Sequence, residues 1–264
     1  MPYARETPEV LEEVQAMSIG FRQLAARLRA AIMSGEYGRG EVLPTAAEFA
    51  ARFGTSEATV QRACDQLRSE GLIRPKSGRG TIVNPVPVIV RDAVGRQRRT
   101  VREEGGGRGA FDAELRRLGL EPRSEVETGR ASALGEVAAI LGPEESAVVY
   151  RRRRMYASGE PIQLATSWIP ADVALAAGAE QVDTGVGGLY SRLADAGYAP
   201  ARFSESVRVR AVDDSEAEFL QMDADQRVYV ITRVARAADG RPVEVCVHVM
   251  PAHQWELVYE WAAD

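Results

Sequence analysis

The sequence has little of the residue types that build metal sites and disulfide frameworks. Its 264 residues include two histidines and two cysteines, and Cys64 and Cys246 lie far apart and form no CxxC pair. A structural zinc site needs clustered Cys or His ligands, and a disulfide framework needs several cysteine pairs. We therefore expect no disulfide, no metal and no cofactor.

Long apolar runs are also missing. No stretch approaches the roughly 18 consecutive apolar residues of a membrane-spanning helix, and residues 1–14 lack the apolar core of a signal peptide. The composition, with 45% hydrophobic and 27% charged residues, is typical of a soluble globular protein. These features predict a cytoplasmic protein with no membrane partner, and the chain length favours two domains.

Lysine is nearly absent, since Lys76 is the single one and arginine supplies the other basic residues. The net charge of -5 is unevenly distributed. Residues 18–84 hold ten basic and six acidic residues, whereas residues 109–264 hold 16 basic and 25 acidic residues. A basic first part on an acidic chain indicates a face that binds a polyanion, and a chance distribution is the alternative.

Three short helices are predicted in the basic part of the chain. Apolar residues recur at helical spacing from Ser18 until Gly35 ends the first helix. The second helix, residues 45–53, begins with the capping-box pair of Thr and Glu three residues apart. After a glycine turn, Ser56 caps a third helix that runs to about Glu70 and places Cys64 toward the core.

Two β-rich segments follow the third helix, Leu72–Arg74 and Thr81–Val83, and they flank the sequence PKSGRG. This arrangement predicts a β-hairpin with a cationic, glycine-rich tip. Three helices followed by such a hairpin describe a winged helix-turn-helix, whose third helix can enter a DNA major groove while the hairpin, or wing, contacts phosphates. A winged helix that binds protein is the alternative.

The segments FRQLAARLRAAIMSGEY and LPTAAEFAARFGTSEATVQRACDQLRSEGLIRPKSGRGTIV resemble the DNA-binding domain of the GntR family of bacterial transcription regulators. The resemblance covers nearly the whole predicted domain, residues 17–84, and implies binding to double-stranded DNA. The chain departs from the family at Ala46 and Ala47, where an acidic-basic pair is common, and at Glu57, where an arginine is common. We therefore expect an operator that differs from the usual one.

Glu57 has two interpretations. Its carboxylate can accept a hydrogen bond from cytosine N4, or it can favour the positive end of the third helix dipole. The glutamine at 61 has the geometry for a bidentate contact to adenine. The candidate DNA-contacting residues are Thr45, Thr55, Ser56, Glu57, Thr59, Gln61 and Arg62 of the helix-turn-helix, and Arg74, Lys76, Ser77, Gly78 and Arg79 of the wing.

Residues 85–108 are rich in proline, glycine and arginine and have no sustained apolar period. This composition predicts an extended linker. Its basic residues either contact DNA phosphates or are simply solvated.

The remaining chain predicts an α+β domain over residues 109–256, an antiparallel sheet with packed helices. Ser158-Gly159 and Asp239-Gly240 are hairpin signals. The predicted strands are Glu125–Arg130, Val148–Tyr156, Pro161–Trp168, Glu205–Val212, Arg227–Ala237 and Arg241–Met250. The predicted helices are Phe111–Leu118, Leu134–Leu141, Gly187–Ala196 and Asp214–Leu220.

The segments RRRRMYASGEPIQLATSWIPADV, GGLYSRLADAGYAP and VYVITRVARAADGRPVEVCVHVM resemble the UTRA domain, which marks the HutC subfamily of GntR regulators. The resemblance implies a domain that binds a small-molecule effector and contributes to a homodimer. Its fold is shared with chorismate lyase, so an enzyme is an alternative. The histidines have no serine or cysteine nucleophile in a motif nearby, and we therefore expect no enzymatic activity.

The resemblance also implies effector-binding residues. Relatives that bind sugar phosphates use arginines that correspond to positions within Arg151–Arg154, of which strand alternation lets only two face inward. Gly188 and Ala165 replace polar ligand contacts of those relatives, which predicts a less polar effector with one anionic group. The alternative for each candidate is ordinary packing. The candidates are Arg152, Arg153, Arg154, Thr166, Ser167, Tyr190, Glu244 and His248.

Together these features predict a transcriptional repressor. A single recognition helix contacts few base pairs, whereas a two-fold dimer reads two half-sites of an inverted repeat. We expect the effector to bind the second domain and release the operator. The alternatives from other classes are an enzyme that resembles chorismate lyase and an architectural protein that binds DNA without sequence preference.

Overall fold

The computed structural model describes residues 19–142 and 147–262, and the chain divides into two compact units after Asn84. The helix start predicted at Ser18, and residue 17 of the predicted domain, lie outside the described residues. Each unit has its own hydrophobic core. The chain therefore builds two independently packed bodies, as its length favours.

The first unit consists of three helices, α1 (Phe21–Ser34), α2 (Ala46–Phe53) and α3 (Glu57–Ser69). Thr45 and Glu48 form the predicted capping box at the start of α2, and Ser56 caps α3 by accepting the backbone N–H of Thr59. Left-handed glycines end α1 and α2, because glycine adopts positive φ without a steric penalty.

The core of the first unit lies where the three helices meet, and it contains Leu24, Phe49 and Leu67. Cys64 packs against this core, as the sequence predicts, but its side chain is only partly buried. The wing is an antiparallel pair of β1 (Ile73–Lys76) and β2 (Gly80–Val83). Its inner end joins the core, and its tip projects into solvent.

The second unit is built on a six-stranded antiparallel sheet, and its strands are β4 (Pro122–Ser132), β5 (Ala147–Ala157), β6 (Glu160–Pro170), β7 (Arg202–Ala211), β8 (Arg227–Arg236) and β9 (Pro242–Pro251). Their order across the sheet is β4-β5-β6-β9-β8-β7. Ser158 and Gly159, both at positive φ, make the tight turn between β5 and β6, as their sequence predicts. All six predicted strands are present.

Helices cover both faces of this sheet. On one face α6 (Gly135–Leu141) and α9 (Asp214–Leu220) pack against apolar side chains of the central strands. The opposite face carries α7 (Ala171–Ala177) and α8 (Gly188–Asp195), and α5 (Ala110–Arg117) packs near the β4 end. This second face also carries the polar residues described below.

Residues 85–108 do not form the extended linker that their composition predicts. They belong to the second unit and include β3 (Ile89–Asp92), a 3-10 turn and α4 (Arg99–Glu103). β3 pairs in parallel with the short C-terminal strand β10 (Trp255–Val258). Ile89 is fully buried, and Arg91 forms a buried bidentate ion pair with Glu205. These contacts fix the segment to the sheet.

Candidate nucleic-acid interface and ligand cavity

The predicted DNA-contacting residues of α3 lie on its exposed side. Ser56, Glu57, Gln61 and Arg62 are exposed, and Thr59 is half-buried. The Arg62 guanidinium lies 4.2 Å from the ring centroid of Phe21 at the start of α1, so a cation–π contact holds it beside the solvent-facing surface. The helix therefore presents one continuous polar face.

Several of these polar groups also have structural partners. The Thr55 hydroxyl donates to the Ile19 carbonyl over 3.1 Å, which ties the turn before α3 to the start of α1. The Gln61 amide nitrogen donates to Asp65 over 2.9 Å, so its position on the helix surface is fixed. Thr45 is engaged in the capping box. A side chain held in one orientation loses less entropy when it binds.

The wing tip brings the remaining candidates together. Lys76, Ser77, Gly78 and Arg79 are exposed, and Arg74 is half-buried at the base. Gly78 has φ +70°, a conformation that permits the tight turn. The wing thus presents two exposed cations on a thin hairpin, which suits a phosphate backbone or a minor groove.

The second unit contains a cavity of about 490 Å³ on the helix-covered face of the sheet. β5, β6, β8 and β9 form its floor, and α8 and residues 96–112 form its walls. Eight arginines and three acidic residues line it. The cavity is therefore strongly cationic.

A hydrogen-bonded network centred on Glu244 forms the floor. The carboxylate is 1% exposed and accepts hydrogen bonds from the hydroxyls of Tyr190 and Ser167, the latter over 2.5 Å. Arg153 donates to Ser167 over 2.6 Å, and Arg233 lies 3.6 Å from Glu244. Burial raises the pKa of Tyr190 well above its usual value, so the phenol stays protonated and donates. The structure brings together four predicted residues, Arg153, Ser167, Tyr190 and Glu244.

His248 and Gln163 lie beside this network. Gln163 Nε2 and His248 Nδ1 are 3.1 Å apart, and His248 is 4% exposed. His248 Nε2 and Gln163 Oε1 have no hydrogen-bond partner among the described atoms, and both residues line the cavity. Burial, reinforced by the Arg233 charge, lowers the pKa of His248 well below its usual value, so the imidazole is neutral. The cavity thus offers an unpaired nitrogen and an unpaired carbonyl oxygen.

Three of the predicted effector residues lie on the face of the sheet away from the cavity. Arg152, Arg154 and Thr166 do not line the cavity, because strand alternation directs them to the opposite face of the sheet. Arg152 lies over the Tyr150 ring and Arg154 over the Phe219 ring.

Arg151 is the inward arginine that the candidate set omits. It is buried, and it donates to the carbonyl oxygens of Ala179, Gln181 and Val182. Burial lowers the pKa of Arg151 to about 10. Strand alternation allows either the odd or the even pair of arginines to face inward, and the packing of the sheet decides in favour of 151 and 153.

Sequence reasoning also missed Arg96, Arg102 and Arg233, which are buried and line the cavity. Arg96 and Arg102 come from the segment predicted as a linker. The signal that could have identified Arg233 is an arginine in the middle of the apolar strand VYVITRVA, where an unpaired charge is costly.

The buried cations of the cavity outnumber their acidic partners. Glu114 lies 3.3 Å from Arg96, and Glu244 pairs with Arg233. Within the described residues, Arg102, Arg151 and Arg153 form no ion pair and instead donate to neutral oxygen or sulfur atoms. Because a buried charge is stabilised most by an opposite charge, this arrangement favours a bound anion.

Comparison with known families gives two matches along the chain. The family described as "Bacterial regulatory proteins, gntR family" matches residues 21–83, and the family described as "UTRA domain" matches residues 117–256. The chain belongs to the GntR family of bacterial regulators, in the group that carries a UTRA domain. The resemblance inferred from the sequence is thereby confirmed, as is the α+β fold class.

Similar proteins support this assignment. An uncharacterised HTH-type transcriptional regulator of Streptomyces coelicolor is 32% identical over 251 residues, which span 91% of this chain and 92% of that protein. The HTH-type transcriptional repressor NagR of Bacillus subtilis is 23% identical and covers 90% of this chain and 93% of its own length. Both are named as transcriptional regulators, not as enzymes.

Solved structures give the same fold. The crystal structure of a GntR-family transcriptional regulator has a TM-score of 0.55 and 26% identity, and covers 94% of this chain and all of its own. PhnF from Mycobacterium smegmatis has a TM-score of 0.57 and 21% identity, with 91% and 99% coverage. None of the helices in the described part of the chain is long and apolar enough to span a membrane.

Proposed function

We propose that this transcriptional regulator is a cytoplasmic, homodimeric repressor that binds an inverted-repeat operator and releases it when an anionic small molecule occupies the cavity. The exposed face of α3 and the cationic wing support DNA binding in two places at once. A dimer doubles these contacts and matches a palindromic site. The repressor NagR, a relative over nearly the whole chain, supports the direction of regulation.

The excess of buried arginines around the cavity carries the effector part of the proposal. Arg102 and Arg151 are buried and Arg153 is half-buried, and none of the three forms an ion pair with a described residue. A carboxylate or phosphate group that enters the cavity therefore meets guanidiniums that are largely removed from water. The sequence comparison predicts a less polar effector with one anionic group. The cavity favours a more anionic one, because Arg96, Arg102 and Arg233 add buried positive charge beyond the predicted effector residues.

The test combines DNA selection with effector screening. Fragments of the native genome are incubated with the full-length protein, and bound fragments are sequenced and footprinted. We expect a protected palindrome and a specific complex that weakens steeply with salt. A screen of organic phosphates and carboxylates by thermal shift should then identify compounds that raise the melting temperature and also dissociate the complex.

Each alternative gives a different outcome. Binding to all fragments with equal affinity would support an architectural protein, and a compound that tightens the complex would support an activator or a corepressor mechanism. A monomer in sedimentation, with and without DNA, would contradict the dimer.

A further inference from the structure

The segment of residues 95–109, here called the strap, forms one wall of the cavity. Arg96, Gln97, Arg102, Arg108 and Gly109 of the strap all line it. In the sequence, only β3 and its flanking residues separate the strap from the DNA-binding unit. A molecule in the cavity would therefore contact a part of the chain that follows that unit after ten intervening residues.

Arg102 is the buried cation of the strap. It is 7% exposed, and it donates to the Gln97 carbonyl over 3.2 Å, to the Gly187 carbonyl over 3.1 Å and to the Ser191 hydroxyl over 3.2 Å. All three acceptors are neutral. Its guanidinium thus ties the strap to α8 and lacks a carboxylate partner among the described ion pairs.

Two arginines of the sheet, Arg153 and Arg233, line the same cavity as Arg102. The guanidinium carbons of Arg102 and Arg233 lie 5.5 Å and 5.2 Å from the ring centroid of Tyr190. Arg153 reaches Glu244 through Ser167. Arg233 and Arg153 are thus both linked to Glu244, and Arg102 faces the same tyrosine as Arg233. Glu244 is the one buried carboxylate among the described residues that line the cavity, which leaves positive charge for a ligand to neutralise.

Gly188 shows how closely the strap packs on the start of α8. A Cβ at this position would lie 2.5 Å from the Arg108 carbonyl oxygen, and φ is +67°. The neighbouring Gly187 donates its N–H to the Gly107 carbonyl over 2.8 Å. In this structure Gly188 makes room for the strap.

We propose that an anionic group of the effector binds between Arg102, Arg153 and Arg233, and that the strap senses occupancy through Arg102. This inference rests on the proposed effector function of the cavity. The anion pairs with a guanidinium of the strap and two of the sheet at once, so binding fixes the strap against α8. The order of the strap then depends on the ligand, which makes it the element that relays occupancy toward the DNA-binding unit.

Hydrogen exchange of the full-length protein tests this proposal without DNA. Inorganic phosphate serves as the probe, against sodium chloride at equal ionic strength. At a phosphate concentration ten times the Kd, amides of the strap that open only in the free state should exchange about tenfold more slowly. The variant Arg102→Gln should weaken phosphate binding and abolish this protection. The matched control is Arg227→Gln, an exposed arginine on β8 outside the cavity, which should behave like the wild type.

A second variant tests the packing of the strap independently of the anion site. Gly188→Ala should displace the strap, so exchange of residues 102–109 should rise without phosphate, while protection of β8 shows that the unit remains folded. Phosphate binding that protects the sheet but leaves the strap unchanged would overturn the proposal, as would full strap protection in Arg102→Gln. A failure to bind phosphate would overturn it too. Because no DNA is present, these results are independent of whether the protein is a repressor.

Discussion

At the scale of single residues, the cavity wall contains a neutral imidazole in a cationic environment. His248 is buried beside Arg233, and burial together with that charge lowers the pKa of the imidazole well below 6.5. His253, the second histidine of the sequence, is also affected, since burial lowers its pKa to about 4. In the unfolded chain both side chains bind protons near pH 6.5.

This difference predicts that acid destabilises the second unit. Below pH 6.5 the unfolded chain takes up protons that the folded unit does not, so the free energy of unfolding decreases as the pH falls. At pH 5 each histidine should account for a loss of about 2 kcal/mol. Urea unfolding between pH 7.5 and 5 measures this slope.

The double variant His248→Gln/His253→Gln serves as the control, because it removes both histidines of the chain. The part of the slope between pH 7 and 5 should flatten. A slope that is unchanged in the variant would assign the dependence to carboxylates instead.

We expect the substitution Arg62→Ala to reduce sequence-specific binding of DNA. If the guanidinium above Phe21 contacts a base, Arg62→Ala should weaken binding to the selected operator by about 1–3 kcal/mol and relax the preference at one base pair. Fluorescence anisotropy with operator and random duplexes measures both. Phe21→Leu removes the ring but keeps the guanidinium, and should have a smaller effect. An equal loss on both duplexes would identify a phosphate contact.

At the scale of elements, the sequence predicted the features that depend on residues close together in the chain. The capping box of α2, the helix-ending glycines and the two hairpin turns all lie within a few residues in sequence, and the structure contains them. The strand β3 escaped prediction because its partner, β10, is more than 160 residues away in sequence. Its four residues are too few to establish a period.

The same limit applies to the candidate site. The resemblance identified Arg153, Ser167, Tyr190, Glu244 and His248, and the structure places them close to one another. Strand alternation shows that the arginines of β5 face the cavity in alternate pairs, but only the packing of the sheet decides which pair does so. Arg96 and Arg102 could not be assigned, because only tertiary folding brings the strap to the cavity.

The position of β3 predicts where the second unit can be cut. A fragment of residues 85–264 should fold cooperatively, whereas a fragment of residues 109–264 loses β3, the buried Ile89 and the ion pair of Arg91 with Glu205. The loss of Ile89 alone should cost about 2–5 kcal/mol. Thermal unfolding by circular dichroism compares the two fragments, and equal melting temperatures would show that β3 is dispensable.

At the scale of the whole molecule, DNA binding and effector binding must influence each other equally. If the effector weakens operator affinity tenfold, a coupling of about 1.4 kcal/mol, then saturating operator must weaken effector affinity tenfold as well. Titration calorimetry with and without operator DNA measures this. Unequal factors would show that a further species, such as a different oligomer, takes part.

The pairing of β3 with β10 also sets the order in which the polypeptide can mature during translation. The three helices and the wing draw on residues before 85, so this unit can fold while the ribosome is still synthesising the rest. The second unit cannot complete its fold until residue 258 has left the ribosome, because its first strand, β3, pairs with its last strand, β10. A nascent chain therefore completes its DNA-binding unit before it completes its UTRA domain.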